Sequence, residues 1–405
     1  MTEIFTGEFT QQEPIPEAAI EAAVAVMRSG RLHRYNVAEG EQGHVALLEQ
    51  EFAASVEASF CLAVASGGYA LATALRALNV QPGDRVLTNA FTLAPVPGSI
   101  ASVGAIPVYV GVTEDLVIDL EDLQAKIAQA DVLMLSHMRG HICDMDHLMK
   151  ICDQAGVRVI EDCAHTMGAK WRETWSGRHG VVGCYSTQTY KHINSGEGGF
   201  LVTDDADVMA KAVILSGSYM LYDRHIAAPA ASHYDDIRYH TPNVSGRMDH
   251  LRAAILRPQL ANLQAQARAW NMRYQAVEEA LAHTPGLKLI SRPKEESYVG
   301  SSIQFLLLDW PTDRVENLLA RCASRGVELK WFGGKEPTGF TSRYDSWRYA
   351  PSSAMPKSDR VLAGVIDMRL PLTFSLEDCA VIGRIIRAEV GALYQLADSA
   401  AQTAI

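Results

Sequence analysis

A chain of 405 residues, 48% of them hydrophobic, can bury a large core and is expected to divide into two domains. A formal net charge of -11 argues against nucleic acid as the main partner, because neutralising phosphates takes clustered Lys and Arg. No apolar run approaches the roughly 20 residues that span a bilayer, and Met1-Thr2-Glu3-Ile4-Phe5 lacks a charged-then-apolar leader pattern, so a soluble cytoplasmic protein with no membrane partner is expected. The seven cysteines are odd in number and contain no Cys-x-x-Cys pair, which reads as reduced thiols, mostly in the core.

In chain order, β-rich runs alternate with helical patterns. Residues 60–66, 85–89, 106–112, 132–136, 157–161, 184–187 and 200–203 read as buried strands. Between them lie amphipathic stretches. Asp119 caps one in which Leu120, Leu123 and Ile127 share a face, and Asp144 opens another. Strands separated by helices of this length imply parallel crossovers and a sheet covered on both sides. The character changes after Arg247. A long helical run from Asp249 to about Ala282 stops at Thr284-Pro285-Gly286, and residues 301–310 and 327–332 with two further helices suggest a smaller α+β unit. The expected division is a large α/β domain over 1–250 and a linking helix with a small α+β domain over 251–405.

One stretch carries the chemistry. Ser186 to His192 is followed at once by Ser195-Gly196-Glu197-Gly198-Gly199, which places Lys191 between a β-type segment and a glycine-rich turn. Upstream, residues 157–162 read as a strand that delivers Asp162 at its carboxyl end, where open α/β sheets keep their ligand chemistry. A lysine for a Schiff base and an aspartate for a pyridinium nitrogen are the two groups that pyridoxal 5'-phosphate requires. Ser66-Gly67-Gly68 follows a strand and precedes a helix, a ready anion site built from backbone N–H groups. His137, His141 and Cys143 lie close in sequence, but Gly140 interrupts them and no fourth ligand is evident, so no metal site is expected.

Ser66-Gly67, Glu161-Asp162, Ser186 to Lys191, Gly196-Glu197-Gly198-Gly199 and Arg247-Met248 occur with the order and spacing of the DegT/DnrJ/StrS aminotransferases, and the chain resembles that family from about residue 20 to about residue 390. The resemblance implies a fold-type-I pyridoxal phosphate enzyme, with a mostly parallel seven-stranded sheet flanked by helices. It assigns Lys191 as the Schiff-base lysine, Asp162 as the partner of the ring nitrogen, and His165 as a neighbour of the ring and its phenolic oxygen. Ser66, Gly67, Gly68 and Ser186 are then the phosphate site. It further implies a homodimer with shared active sites, a small-molecule amino donor such as L-glutamate or L-glutamine, and a keto acceptor such as a nucleotide-linked keto-sugar or a cyclitol.

Three positions depart from the family pattern. Relatives carry Thr or Ser where Gly68 stands, and an aromatic stacked on the ring where Leu93 stands, with Phe91 nearby as a substitute. They carry Asn where Ser245 stands, reaching into the neighbouring subunit's phosphate site. These departures leave two alternatives open: an enzyme of the same family that acts on a non-sugar ketone or aldehyde, and a non-catalytic cofactor-binding regulatory protein.

Overall fold

The computed structural model describes residues 3–403. Seven strands form the main sheet: β1 (Phe60–Val64), β2 (Arg85–Asn89), β3 (Ile106–Val110), β4 (Val132–Ser136), β5 (Arg158–Asp162), β6 (Val182–Ser186) and β7 (Gly199–Thr203). Their order is β1-β7-β6-β5-β4-β2-β3. All run parallel except β7, which is antiparallel to both of its neighbours. The sheet is thus mostly parallel and seven-stranded, as the sequence led us to expect.

Alternation along each strand sends side chains to opposite faces. Val132 and Met134 join Ile160, Val182 and Leu201 in one core, while Leu133 and Leu135 join Leu87 and Val159 in another. Burial on both faces explains why these strands read as continuous apolar runs rather than alternating ones. Helices cover the sheet and begin where the sequence caps them. Asp119 accepts from the backbone N–H groups of Glu121 and Asp122, and Asp144 accepts from that of His147.

The long helix His250–Leu281 leads to a second, wholly antiparallel sheet, ordered β8-β9-β11-β10: β8 (Lys288–Leu289), β9 (Ser302–Leu306), β10 (Lys330–Trp331) and β11 (Val365–Arg369). Side chains of the helices Thr312–Ser324 and Leu376–Thr403, among them Val315, Leu318, Ile382 and Ile385, share a core with Ile303, Phe305, Ile366 and Met368 of this sheet. The start of the chain returns to this second core. Phe5 and Phe9 are buried against Phe374, and Phe5 N–H donates to the Arg325 carbonyl at 2.9 Å. No helix among the described residues is long and apolar enough to cross a membrane.

Candidate active site

The carboxyl edge of the parallel strands and the second sheet enclose a cavity of about 620 Å3. Register brings its key groups together. Ser136 at the end of β4 pairs with Asp162 at the end of β5, and Asp162 pairs with Cys184 in β6. The Ser136 hydroxyl donates to Asp162 Oδ2 at 3.0 Å, and the Ala164 N–H donates to Oδ1 at 3.1 Å. Burial pushes the Asp162 carboxyl up from its ordinary value, against the pull of Lys191. A carboxylate held this way gains from a cation placed beside it.

Glu161, the preceding residue, points to the opposite face of the strand and does different work. It accepts from His137 Nε2 at 2.9 Å and from the backbone N–H groups of Gly177 at 2.9 Å, His179 at 2.7 Å and Gly180 at 2.7 Å. These bonds hold the loop that leads into β6.

Lys191 follows β6 in a wide turn. Its backbone N–H donates to the Gln188 carbonyl at 2.8 Å, while Thr187 N–H donates to the Gly198 carbonyl and Thr189 N–H to the Gly196 carbonyl. Gly198 has a φ of 146°, and a Cβ there would meet Thr187 Oγ1 at 2.3 Å, so the glycine-rich segment is required for the turn to close. The amine Nζ lies 2.9 Å from His165 Nε2. Burial, then repulsion from Arg139, holds the amine at about 8 against the pull of Asp162. Burial, then the Lys191 and Arg139 charges, holds His165 well below its ordinary value and therefore neutral. His165 lies in the turn that follows β5, three residues beyond Asp162. His192 is buried among structural partners, with Nδ1 2.8 Å from the Met167 carbonyl and Nε2 3.0 Å from Ser301 Oγ.

Ser66, Gly67 and Gly68 line the cavity at the N-terminus of the helix Gly67–Ala77. Ser66 Oγ caps that helix by accepting from Tyr69 N–H at 3.1 Å. Strand β6 presses close: a Cβ on Gly67 would lie 2.8 Å from Ser186 Cβ. Glycine at 67 thus lets a helix N-terminus and the Ser186 hydroxyl reach one point, which suits an anion. Leu93 also lines the cavity. Phe91 does not replace it, being buried edge-on to Phe332 with ring centroids 5.1 Å apart. Ser245 is exposed and lies outside the cavity of its own chain.

Part of the lining lies outside the candidate residues read from the sequence. Arg139, Gln188, Tyr190, Lys330, Trp347 and Arg369 all reach the cavity. Gln188 and Tyr190 sit within the Ser186 to Lys191 block, whereas Arg139, Lys330, Trp347 and Arg369 come from distant parts of the chain that no local motif announces. The three residues weighed for a metal do not converge: His137 bonds Glu161, His141 Nε2 lies 2.7 Å from Gln304 Oε1, and Cys143 Sγ lies 3.6 Å from Met145 Sδ. Among the described residues, the side chains grouped closely enough to share an ion are His137, Glu161 and Cys163, and the Glu161 oxygens there are already taken by the bonds above.

Comparison with known proteins agrees with this geometry. The sequence matches the DegT/DnrJ/EryC1/StrS aminotransferase family over residues 15–387. It is 30% identical over 323 residues to a dTDP-3-amino-3,4,6-trideoxy-alpha-D-glucose transaminase of Streptomyces venezuelae, covering 77% of this chain and 76% of that one. It is 33% identical over 231 residues to a UDP-N-acetyl-3-dehydro-alpha-D-glucosamine 3-aminotransferase of Acidithiobacillus ferrooxidans, covering 56% of this chain and 58% of that one. For several such relatives the match takes in only a little over half of the relative's own length, 52 to 58%. The crystal structure of 3-amino-5-hydroxybenzoic acid synthase superposes with a TM-score of 0.81 at 24% identity, over 97% of this chain and 100% of that one, which establishes the shared fold. With the match running nearly from end to end, the chain belongs to the DegT/DnrJ/EryC1/StrS aminotransferase family.

Proposed function

We propose that this protein is a pyridoxal 5'-phosphate-dependent aminotransferase that moves an amino group from L-glutamate or L-glutamine to a keto-sugar, nucleotide-linked, or to a cyclitol. The observation that carries the reading is the Lys191 amine, held beside His165 and Asp162 in a cavity whose far end is a helix N-terminus. The residues fit the cofactor. Lys191 suits its aldehyde, the buried Asp162 carboxylate suits a protonated ring nitrogen, and Ser66, Gly67, Gly68 and Ser186 suit its phosphate. Leu93 would pack against the ring face without the aromatic preference for offset stacking.

When bound, the cofactor supplies an electron-accepting ring that stabilises the carbanion left as the substrate loses a proton. The chain's own residues do the rest. Asp162 keeps the ring nitrogen charged, and Ser136 and Ala164 N–H hold Asp162 in place. Lys191 carries the proton between substrate atoms, which requires an uncharged amine. A value of about 8 leaves on the order of a tenth of the amines uncharged at pH 7. His165 restrains that amine while adding no charge of its own. Donor and acceptor occupy the same cavity in turn, a ping-pong order.

The names of the relatives support a sugar or cyclitol acceptor. A homodimer with shared sites is supported by exposed apolar side chains at Tyr219, Met220, Tyr239 and Val244, the last of them adjacent in sequence to the exposed Ser245. Seven free, buried cysteines fit a cytoplasmic setting.

The test is the visible absorbance of cofactor-loaded protein. Adding L-glutamate or L-glutamine should convert the spectrum to that of the amine form, and Asp162→Asn should slow the conversion on the order of 10²–10³-fold. A spectrum unmoved by either donor defeats the proposal.

A further inference from the structure

The loop between β10 and the helix Pro356–Ala363 lines part of the cavity that holds Lys191. Within it Thr338 and Thr341 close a two-residue hairpin. Thr338 N–H donates to the Thr341 carbonyl at 3.2 Å, and Thr341 N–H donates back to the Thr338 carbonyl at 2.9 Å. Gly339 and Phe340 at the tip have φ values of 33° and 67°. A turn with both central φ values positive favours glycine at its second position and rarely accepts a bulky side chain there. Phe340 is thus a poor residue for the turn that carries it. Packing does not call for it either. Residues 335–340 are all exposed, Phe340 itself by 57%, and a Cβ on Gly339 would meet nothing within 4 Å.

The ring is set into the cavity instead, beside Tyr190 and Trp347. Tyr190 meets Phe340 edge-on, with ring centroids 5.8 Å apart and planes at 85°. Lys330 lies over the Phe340 ring at 5.1 Å and Arg369 over the Tyr190 ring at 4.0 Å. Arg139, from the loop after β4, donates from Nη2 to the Phe340 carbonyl at 3.4 Å. Contacts from both parts of the chain therefore hold a tip that its own turn disfavours. A bulky side chain kept in a disfavoured backbone at a cavity points to a ligand as the reason for it.

We propose that Phe340 and Tyr190 form an aromatic corner against which the saturated six-membered ring of the amino acceptor packs, so that Phe340 determines acceptor specificity. The inference rests on the aminotransferase reading and narrows its acceptor to ring compounds. The C–H face of such a ring is apolar, and an aromatic side chain covers it where water gains no hydrogen bond. The donor does not explain the corner, because L-glutamate and L-glutamine are open chains with no ring to stack. A nucleotide's base does not explain it either. Tyr190 is bonded to Lys191, so the corner starts beside the reacting residue, whereas a base stands beyond the sugar and its phosphates.

The test uses protein loaded with pyridoxamine 5'-phosphate, the form that meets the acceptor, and ligands with no ketone to react. Calorimetric titration compares myo-inositol and UDP-glucose, which bring a saturated six-membered ring, with glutarate, an open chain, and UDP, which has the base without that ring. Phe340→Gly should weaken whichever ring compound binds the parent about tenfold, and shift glutarate and UDP less than about threefold. Phe340→Tyr should keep ring binding within about threefold of the parent. Because glycine suits the turn, Phe340→Gly should melt no more than about 2 °C below the parent. Ring binding that survives Phe340→Gly, or that is lost as fully in Phe340→Tyr, overturns the corner, and so does a parent that binds neither ring compound. UDP weakened as much as UDP-glucose overturns it in favour of the base. Glutarate weakened as much as the ring compounds overturns it in favour of the donor. A melting midpoint far below the parent's overturns it in favour of a folding contact. The glutamate-driven spectral change of pyridoxal phosphate-loaded parent protein is measured separately. If that change occurs while ring binding ignores Phe340, the corner alone falls; if it fails, the aminotransferase reading falls with it.

Discussion

Lys191 shows how burial and neighbours set one residue's chemistry. An ordinary lysine is almost wholly charged near neutrality, whereas burial and Arg139 bring this one to about 8 from 10.5. Only the uncharged amine is nucleophilic. In cofactor-free protein, trinitrobenzenesulfonate labelling of Lys191 should therefore rise with pH through a midpoint near 8, while surface lysines rise later. Peptide-resolved mass spectrometry reads both, and a midpoint for Lys191 no lower than that of the surface lysines contradicts the account. Lys191 stood out as a candidate because Ser186, Lys191 and the glycine turn are close in sequence. Glu161 was less so. The same strand carries both acids, and only alternation sends Asp162 to the cavity and Glu161 into a net of loop N–H groups.

At the scale of elements, the strands of the main sheet were legible to within two residues, because burial on both faces demands unbroken apolar runs, whereas the second sheet was read only as 301–310 and 327–332 and its strand Val365–Arg369 was missed. The reversal of β7 was not, since a buried antiparallel strand reads the same as a parallel one. Arg139, Lys330 and Arg369 also escaped, because they share the cavity lining only where the second sheet meets the first. Element packing carries its own titration. Glu49, in the helix His44–Ser55, accepts from Arg34 Nη1 at 3.0 Å, Nη2 at 2.9 Å and the Ala63 N–H of β1 at 2.8 Å. Although burial alone would raise it, Arg34 and His225 hold it at about 2. A folded value below the unfolded 4.5 means the stabilisation is present above about pH 4.5 and is lost as pH falls towards 2. Glu49→Gln should cost about 3–5 kcal/mol near neutrality, because it leaves the Arg34 charge buried without its partner. It should also flatten the acid limb of a pH series of urea melts. A loss below 1 kcal/mol would show that the pair does not anchor the helix to β1.

For the whole molecule, a division near residue 250 is our proposal for how the two cores separate, with Phe5 and Phe9 crossing back to the second. Assembly is a proposal as well. Ser245 lies outside the cavity of its own chain, so any part it takes in phosphate binding comes across a subunit boundary. A hydrogen bond to a charged phosphate contributes about 1.5–3 kcal/mol, so Ser245→Ala should weaken cofactor retention about tenfold to a hundredfold. Mixing Lys191→Ala chains with Ser245→Ala chains should place both defects in one site of a hybrid dimer and leave the other intact. Activity above that of either parent supports sharing. Activity no greater than the parents', with heterodimers verified by native mass spectrometry, rules it out.

The central claim, that one lysine at the carboxyl edge of this sheet holds the cofactor, is tested most directly by borohydride reduction of pyridoxal phosphate-loaded protein and peptide mapping. The account predicts a single reduced adduct, on Lys191, and none in Lys191→Ala. An adduct on a different lysine, or none in the unmodified chain, would contradict it.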